Sequence, residues 1–232
     1  MIGYDQHFIV AALENCMTRV HRLHGIALNT EKFKEITINS MRIKDTLSFM
    51  DGTLESLVET LLASDHSFNY LNQVFTCEEK QKLVLSKGVY PYEYAKDLIQ
   101  MHGTTSLPPR EKFYSSLKGD TVSEADYKHA QTVWKEFGCK NMIDYTRLYC
   151  VSDTVLLCEV MERFRRSIHE KYKLDPANFV SLPSLGKDLM LKISGVRLQY
   201  MDDLDMIYAI KQSIRGGLSF VGNILNALLQ YV

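Results

Sequence analysis

Residues Tyr145–Lys173 read YTRLYCVSDTVLLCEVMERFRRSIHEKYK, and the reading of this stretch decides the fold. Wound as a helix, it gathers Leu148, Leu156, Leu157, Val160, Met161 and Phe164 on one side. Tyr149 and Asp153 stand four residues apart, so they lie one turn apart on a shared face. That face runs on into Leu156, Leu157 and Val160. A carboxylate on an apolar stripe is costly unless it meets a cation or a hydrogen-bond donor. Asp153 is therefore expected to face a partner from elsewhere in the fold.

Outward from this helix, the chain alternates helical and extended signals. Phe8, Ile9, Ala12, Leu13, Cys16, Met17 and Val20 recur at helical spacing near the start. Asp5 sits just before them, and spacing alone reads it as a helix N-cap. His21 and His24 then fall at a solvated helix end. Ile36 and Ile38, then Met41, Ile43, Leu47 and Phe49, alternate with polar residues, which predicts a β-hairpin turning near Asn39-Ser40. Asp45 occupies the inward phase of the second strand. Asp51-Gly52-Thr53 caps a helix through Leu54–Leu62, and Leu107-Pro108-Pro109 marks a connection. Ser123 followed by Asp126 starts another helix that stops at Gly138. Further helices are expected at Ser184–Ser194 and Leu204–Ser213. The pattern is that of a helix-rich α/β domain with acids at inward positions.

Composition narrows the partners. A net charge of -1 gives no global positive field, so any nucleic-acid contact needs a local basic lining. Five cysteines, an odd number without a C-x-x-C, speak against a disulfide framework and favour an intracellular compartment, cytoplasm or nucleus, over secretion. The uncharged stretch Gly216–Val232 is too short and too interrupted for a membrane span.

The local words carry a resemblance. Lys87-Gly88-Val89-Tyr90-Pro91-Tyr92-Glu93-Tyr94, Leu107–Leu117 (LPPREKFYSSL), Leu174-Asp175-Pro176-Ala177 and Ile214-Arg215-Gly216-Gly217 resemble, in collinear order, the protein-primed family B DNA polymerases of viruses, linear plasmids and Polinton/Maverick-type transposons. The resemblance implies a partial ribonuclease-H-like 3′–5′ exonuclease domain over residues 1–182, a helical connector over 183–213 and the start of a polymerase domain over 214–232. It makes Asp5 and Asp153 ligands of Mg²⁺ or Mn²⁺, with Tyr149 beside them in a Tyr-x-x-x-Asp motif. It makes Thr46-Leu47 a contact to the single-stranded primer end and Lys112 a phosphate contact. Arg215, Gly216 and Gly217 resemble a Tyr-x-Gly-Gly link that touches template DNA, with Ile214 in place of the Tyr. Implied partners are primer and template DNA, with dNTPs and a terminal priming protein for the full-length parent, and no membrane.

The sequence departs from the family elsewhere too, and the Asn that usually precedes the second motif's Tyr-Asp is absent. No Asp-x-Glu precedes Gly3-Tyr4-Asp5, and the polymerase motifs Asp-x-x-Ser-Leu-Tyr-Pro, Lys-x-x-x-Asn-Ser-x-Tyr-Gly and Tyr-x-Asp-Thr-Asp do not occur. The chain by itself is therefore expected to have little or no activity. A non-catalytic remnant that binds single-stranded DNA or another protein is the competing expectation. Tyr200-Met201-Asp202-Asp203 spells a reverse-transcriptase tetrapeptide, but a helix follows it, which makes both acids capping residues.

Overall fold

A three-stranded antiparallel sheet, eight α-helices and three short 3₁₀ turns make up most of the regular structure that a computed structural model describes over residues 11–12, 22–27, 33–86, 88–117, 119–198 and 201–214. The strands are β1 (Leu23–Ala27), β2 (Phe33–Ile38) and β3 (Met41–Lys44), in the order β1-β2-β3. The helices are α1 (Leu54–Leu62), α2 (Asn69–Val74), α3 (Glu78–Leu85), α4 (Leu98–Gly103), α5 (Glu124–Glu136), α6 (Met142–Tyr172), α7 (Leu182–Ser194) and α8 (Leu204–Ser213). The mixed, helix-rich α/β character follows the sequence pattern. The chain divides into two units, Met1–Leu189 and Met190–Val232. Asp5, most of the predicted Phe8–Val20 helix, His21, Lys87 and Arg215-Gly216-Gly217 lie outside the described residues.

The hairpin forms where the alternation places it. Ile36 pairs with Ile43 and Ile38 with Met41, and Asn39 turns the chain with φ +54°. Asn tolerates that left-handed conformation better than most residues. Ile36 and Ile38 are buried, as the period-2 pattern requires. Two expectations need correction. His24 is part of β1, opposite Thr37, and not part of a helix end. The second strand ends at Lys44 instead of running to Phe49. Asp45 caps a 3₁₀ turn over Thr46–Ser48, its Oδ1 accepting from the Leu47 N–H at 2.9 Å, so the backbone leaves the sheet there.

In the first unit α6 is the spine of two cores. Val155, Leu156 and Val160 from its middle pack with Val58, Leu61, Leu71 and Val84 from α1, α2 and α3 and with Phe75 just after α2. Met142 and Tyr145 from its first turns pack with Val89, Met101, Phe113 and Ala130. Each fully buried side chain of this size contributes about 1.5–3 kcal/mol. Asn141 caps the start by accepting from Asp144 N–H at 3.0 Å, and Lys173 ends the helix in the left-handed region with φ +54°. Just beyond, Asp175 takes a two-pronged ion pair from Arg165 at 3.0 and 2.7 Å, which holds its carboxyl at about 2. Lys44 reaches over from β3, donating to the carbonyls of Ala177 and Phe179 at 2.6 and 2.8 Å while pairing with Glu35 at 3.2 Å. The sheet is thereby tied to the loop that follows α6.

In the second unit Gly195 closes α7 with φ +67°. Asp203 caps α8, accepting from the amides of Asp205 and Met206 at 2.9 and 3.2 Å. Of the predicted capping acids, Asp203 supplies the cap and Asp202 does not. Among the described residues no helix is long and apolar enough to cross a membrane.

Candidate functional site

Tyr145, Tyr149 and Asp153 follow one another at four-residue intervals along α6, and the segment Gly88–Tyr92 runs beside them. Three hydrogen bonds fasten this segment to the helix. Tyr145 donates to the Val89 carbonyl at 2.6 Å. The Tyr90 hydroxyl meets Thr146 Oγ1 at 2.9 Å, and Thr146 already donates to Met142 O, so Tyr90 is the donor. Tyr92 and Tyr149 share a 2.6 Å bond between hydroxyls. The rings add stacking: Tyr90 lies against Tyr149 with centroids 4.9 Å apart, and parallel to Tyr145 at 6.4 Å.

Gly88 makes the close approach possible. A Cβ there would stand 2.8 Å from Tyr149 Cε2 and 3.7 Å from Asp153 Oδ1. The ring has no room to retreat, because Tyr90 stacks on it. Overpacking of this kind costs about 1–3 kcal/mol. Gly88→Ala is accordingly expected to lower the free energy of unfolding, read by urea denaturation, by that amount and to displace Tyr149. Unchanged stability together with an unchanged near-ultraviolet tyrosine spectrum would contradict it.

Electrostatics at the pair follow from its burial. Asp153 is half-buried, and desolvation raises its carboxyl pKa, opposed by a hydrogen bond from Tyr149. Burial, the Tyr92 bond and the Asp153 charge all raise the Tyr149 phenol, so it stays protonated throughout the physiological range. The carboxylate can only accept, so Tyr149 donates to Asp153, and Tyr92 must donate to Tyr149. One lone pair of the Tyr149 oxygen remains for a further donor.

Asp153 lines a small cavity of about 40 Å³ with Gly88, Val89, His129 and Tyr149, and two larger ones along α1 and α6. The largest, about 420 Å³, is walled by Glu55, Glu59, Ser86, Gly88 and Tyr149. The second, about 300 Å³, is walled by Thr46, Leu47, Met50, Leu57 and Thr154. Leu54 and Asp153 belong to both. Of the residues singled out from sequence, Thr46 and Leu47 thus share one cavity with Asp153, and Tyr149 shares the largest with it. Lys112 is exposed on the 3₁₀ turn Arg110–Phe113 and lines neither cavity. The expected basic lining is not found: among the described residues no Lys or Arg borders either cavity, whereas Glu55 and Glu59 do.

The donor chemistry at Asp153 suits a hard divalent cation, since a carboxylate faces an open cavity with no positive side chain among its described partners. It does not complete a site alone: among the described residues no three His, Cys, Asp or Glu side chains come together.

Sequence reasoning passed over Gly88 and Tyr92 as site residues. The signal lay in the word KGVYPYEY itself, where a glycine precedes an aromatic cluster broken by Pro91. Glu159 was missed as well. It is 1% exposed two turns beyond Asp153, accepting from the amides of Tyr70 and Leu71 at 2.6 and 3.0 Å and lying 3.0 Å from His66 Nε2.

Comparison with known proteins gives the wider setting. No solved structure matches the chain significantly. A probable DNA polymerase of Ascobolus immersus is 23% identical over 151 residues, which is 62% of this chain and 12% of that protein. The chain therefore matches only about an eighth of that relative's length. A model of the family described as DNA polymerase type B, organellar and viral, matches over residues 1–230. The chain belongs to the organellar and viral type B DNA polymerases.

Proposed function

We propose that this chain is the part of a protein-primed DNA polymerase that carries most of its 3′–5′ proofreading exonuclease, on a ribonuclease-H-like scaffold. One observation carries the reading: Asp153 borders one cavity with Thr46 and Leu47 and another with Tyr149, so segments a hundred residues apart in sequence meet at its carboxylate. The groove suits a single strand whose 3′ end lies at Asp153 and whose last bases contact Leu47, which is 58% exposed. Asp153 and Asp5 would hold Mg²⁺ or Mn²⁺, which supplies charge stabilisation for hydrolysis of the terminal phosphodiester. Tyr149 fixes the Asp153 carboxylate through its hydroxyl, and its remaining lone pair orients the attacking water. Lys112 is assigned a phosphate contact, and Arg215, Gly216 and Gly217 a template contact, by the resemblance alone. The residues 1–182, 183–213 and 214–232 then correspond to exonuclease, connector and polymerase entry. DNA-directed synthesis, dNTPs and the priming protein belong in this reading to the full-length enzyme.

The groove without basic residues changes what binding should look like. A protein that neutralises few phosphates has a shallow salt dependence, with a log–log slope of about -0.7 per phosphate for single strands. The chain is expected to bind a labelled single-stranded oligodeoxythymidylate weakly, in preference to blunt duplex, with a slope corresponding to one or two phosphates. Removing the exposed apolar surface of Leu47 by Leu47→Ala should weaken single-strand binding about tenfold. Equal affinity for duplex and single strand, or no effect of Leu47→Ala, would overturn the assignment of this groove. Single-strand binding that persists in a full-length polymerase with no nuclease activity at any divalent-ion concentration would favour the non-catalytic remnant.

A further inference from the structure

Asp45 is the acid that the strand pattern left without a role. It is 3% exposed, at the point where β3 ends and the chain turns into Thr46–Ser48. Its Oδ1 accepts from the Leu47 N–H at 2.9 Å, an Asx turn that folds the backbone back within two residues. The flanks of the turn are fixed independently. On one side Lys44 is anchored to the carbonyls of Ala177 and Phe179 and to Glu35. On the other, Phe49 is 4% exposed and its ring lies 6.4 Å from that of Phe164 on α6. Thr46 and Leu47 between these anchors border the cavity that Asp153 borders from α6. Leu47, alone in the turn, projects a large apolar side chain into the open.

We propose that Asp45 is a positioning residue for single-strand recognition: its buried carboxylate sets the turn that presents Thr46 and Leu47 to the 3′ end of a DNA strand. This rests on the reading of the groove given above. Asp45 does not touch the strand. The role proposed for it is that of an acceptor two residues back from the Leu47 amide. An Asx turn needs a short side chain. Asparagine places its carbonyl oxygen where the aspartate oxygen sits, whereas glutamate carries the same charge one methylene too far. The anchored flanks keep the turn in place when the cap is lost, so the change falls on the conformation of its tip.

The test uses the full chain and two probes, a labelled single-stranded oligodeoxythymidylate and a blunt duplex, with Leu47→Ala as the reference. Asp45→Asn is expected to bind single strand within about twofold of wild type, because Asn replaces the cap. Asp45→Glu and Asp45→Ala are expected to lose about fivefold in single-strand affinity, the fold-change of a lost cap, with duplex affinity unchanged. The ratio of the two affinities is the diagnostic, since a general loss of structure lowers both together. If Asp45→Ala does not fold, the Asn and Glu pair decides. Wild-type binding by Glu with weakened binding by Asn assigns the effect to charge and overturns the proposal. Wild-type binding by both overturns it too. If Leu47→Ala itself leaves single-strand binding intact, the groove assignment fails instead, and the two failures are told apart.

Discussion

Glu159→Ala is expected to lower the free energy of unfolding by about 3–5 kcal/mol. Glu159 is 1% exposed in the middle of α6 and makes three contacts with the segment His66–Leu71. Two are to the amides of Tyr70 and Leu71, among the first N–H groups of α2, which have no partner within that helix. Phe68, at the position preceding α2, provides no side-chain cap, so the carboxylate does that work across 88 residues of sequence. The third is to His66, whose Nε2 must be the donor, because a carboxylate has no proton to give. His66 also meets Phe68 edge-on at 4.9 Å, so the ring is held from both sides.

Alanine would leave two amides and a ring N–H buried without acceptors beside Leu71, which is 1% exposed in the first core. Glu159→Gln separates these contributions. Its single carbonyl oxygen can serve the amides, but its NH₂ then faces His66, which must change tautomer to accept. The Gln variant should cost about 1–2 kcal/mol. Urea denaturation followed by far-ultraviolet circular dichroism reads both. A loss below about 1 kcal/mol for the Ala variant would show that water replaces the carboxylate and that the contacts are not essential to the core.

These contacts also show why some of the fold was legible and some was not. The hairpin, α1, α5, α6 and α8 have signals that act within a few residues: alternation around Asn39, the Thr53, Ser123 and Asp203 caps, the helical periodicity of Tyr145–Lys173, and the glycine at 138. The helix α2 lacks a local cap and owes its start to Glu159, so nothing near Asn69 announces it. β1 reads LHGIA, an exposed edge strand with a glycine inside it. That glycine answers to Phe33, whose ring would stand 2.9 Å from a Cβ at Gly25. Glu159 itself follows Leu156, Leu157 and Cys158 in the sequence and falls between two faces of a helix that packs on several sides. The site was half legible for the same reason. Tyr149 and Asp153 are linked by helical periodicity, whereas their neighbours Gly88, Tyr92, Thr46 and Leu47 arrive through tertiary packing. The local positive groove expected for DNA was not found, because charge composition says nothing about which face each lysine occupies.

Asp153→Asn is expected to separate stability from function. Burial raises the Asp153 carboxyl pKa in the folded chain above its unfolded value. The native state therefore holds that proton more tightly than the unfolded state does, and this favourable difference is lost as pH rises through the folded pKa. At neutral pH the charged form carries its full desolvation cost. Removing the charge while keeping a carbonyl acceptor for Tyr149 should raise Tm by about 1–3 °C, a small gain because the group is half-exposed and solvent screens it. The gain should shrink toward zero below about pH 4, where aspartates approach protonation. Divalent ions should reverse the order of the two proteins. A ligand that binds only the folded state adds about 2.7 kcal/mol at a hundred times its dissociation constant. Mn²⁺ or Mg²⁺ should therefore raise Tm for the wild type and not for Asp153→Asn, whose amide is a poor ligand for either. In a full-length polymerase carrying this segment, losing about 4 kcal/mol of transition-state stabilisation reduces release of the 3′-terminal nucleotide about 10³-fold. A destabilised Asn variant would mean that Asp153 has a cationic partner in the folded chain. An equal Mn²⁺ response in both proteins would place any metal elsewhere. The expected pair of results, a more stable protein that has lost its metal response, is what a carboxylate held in an unfavourable place for the sake of a ligand should give.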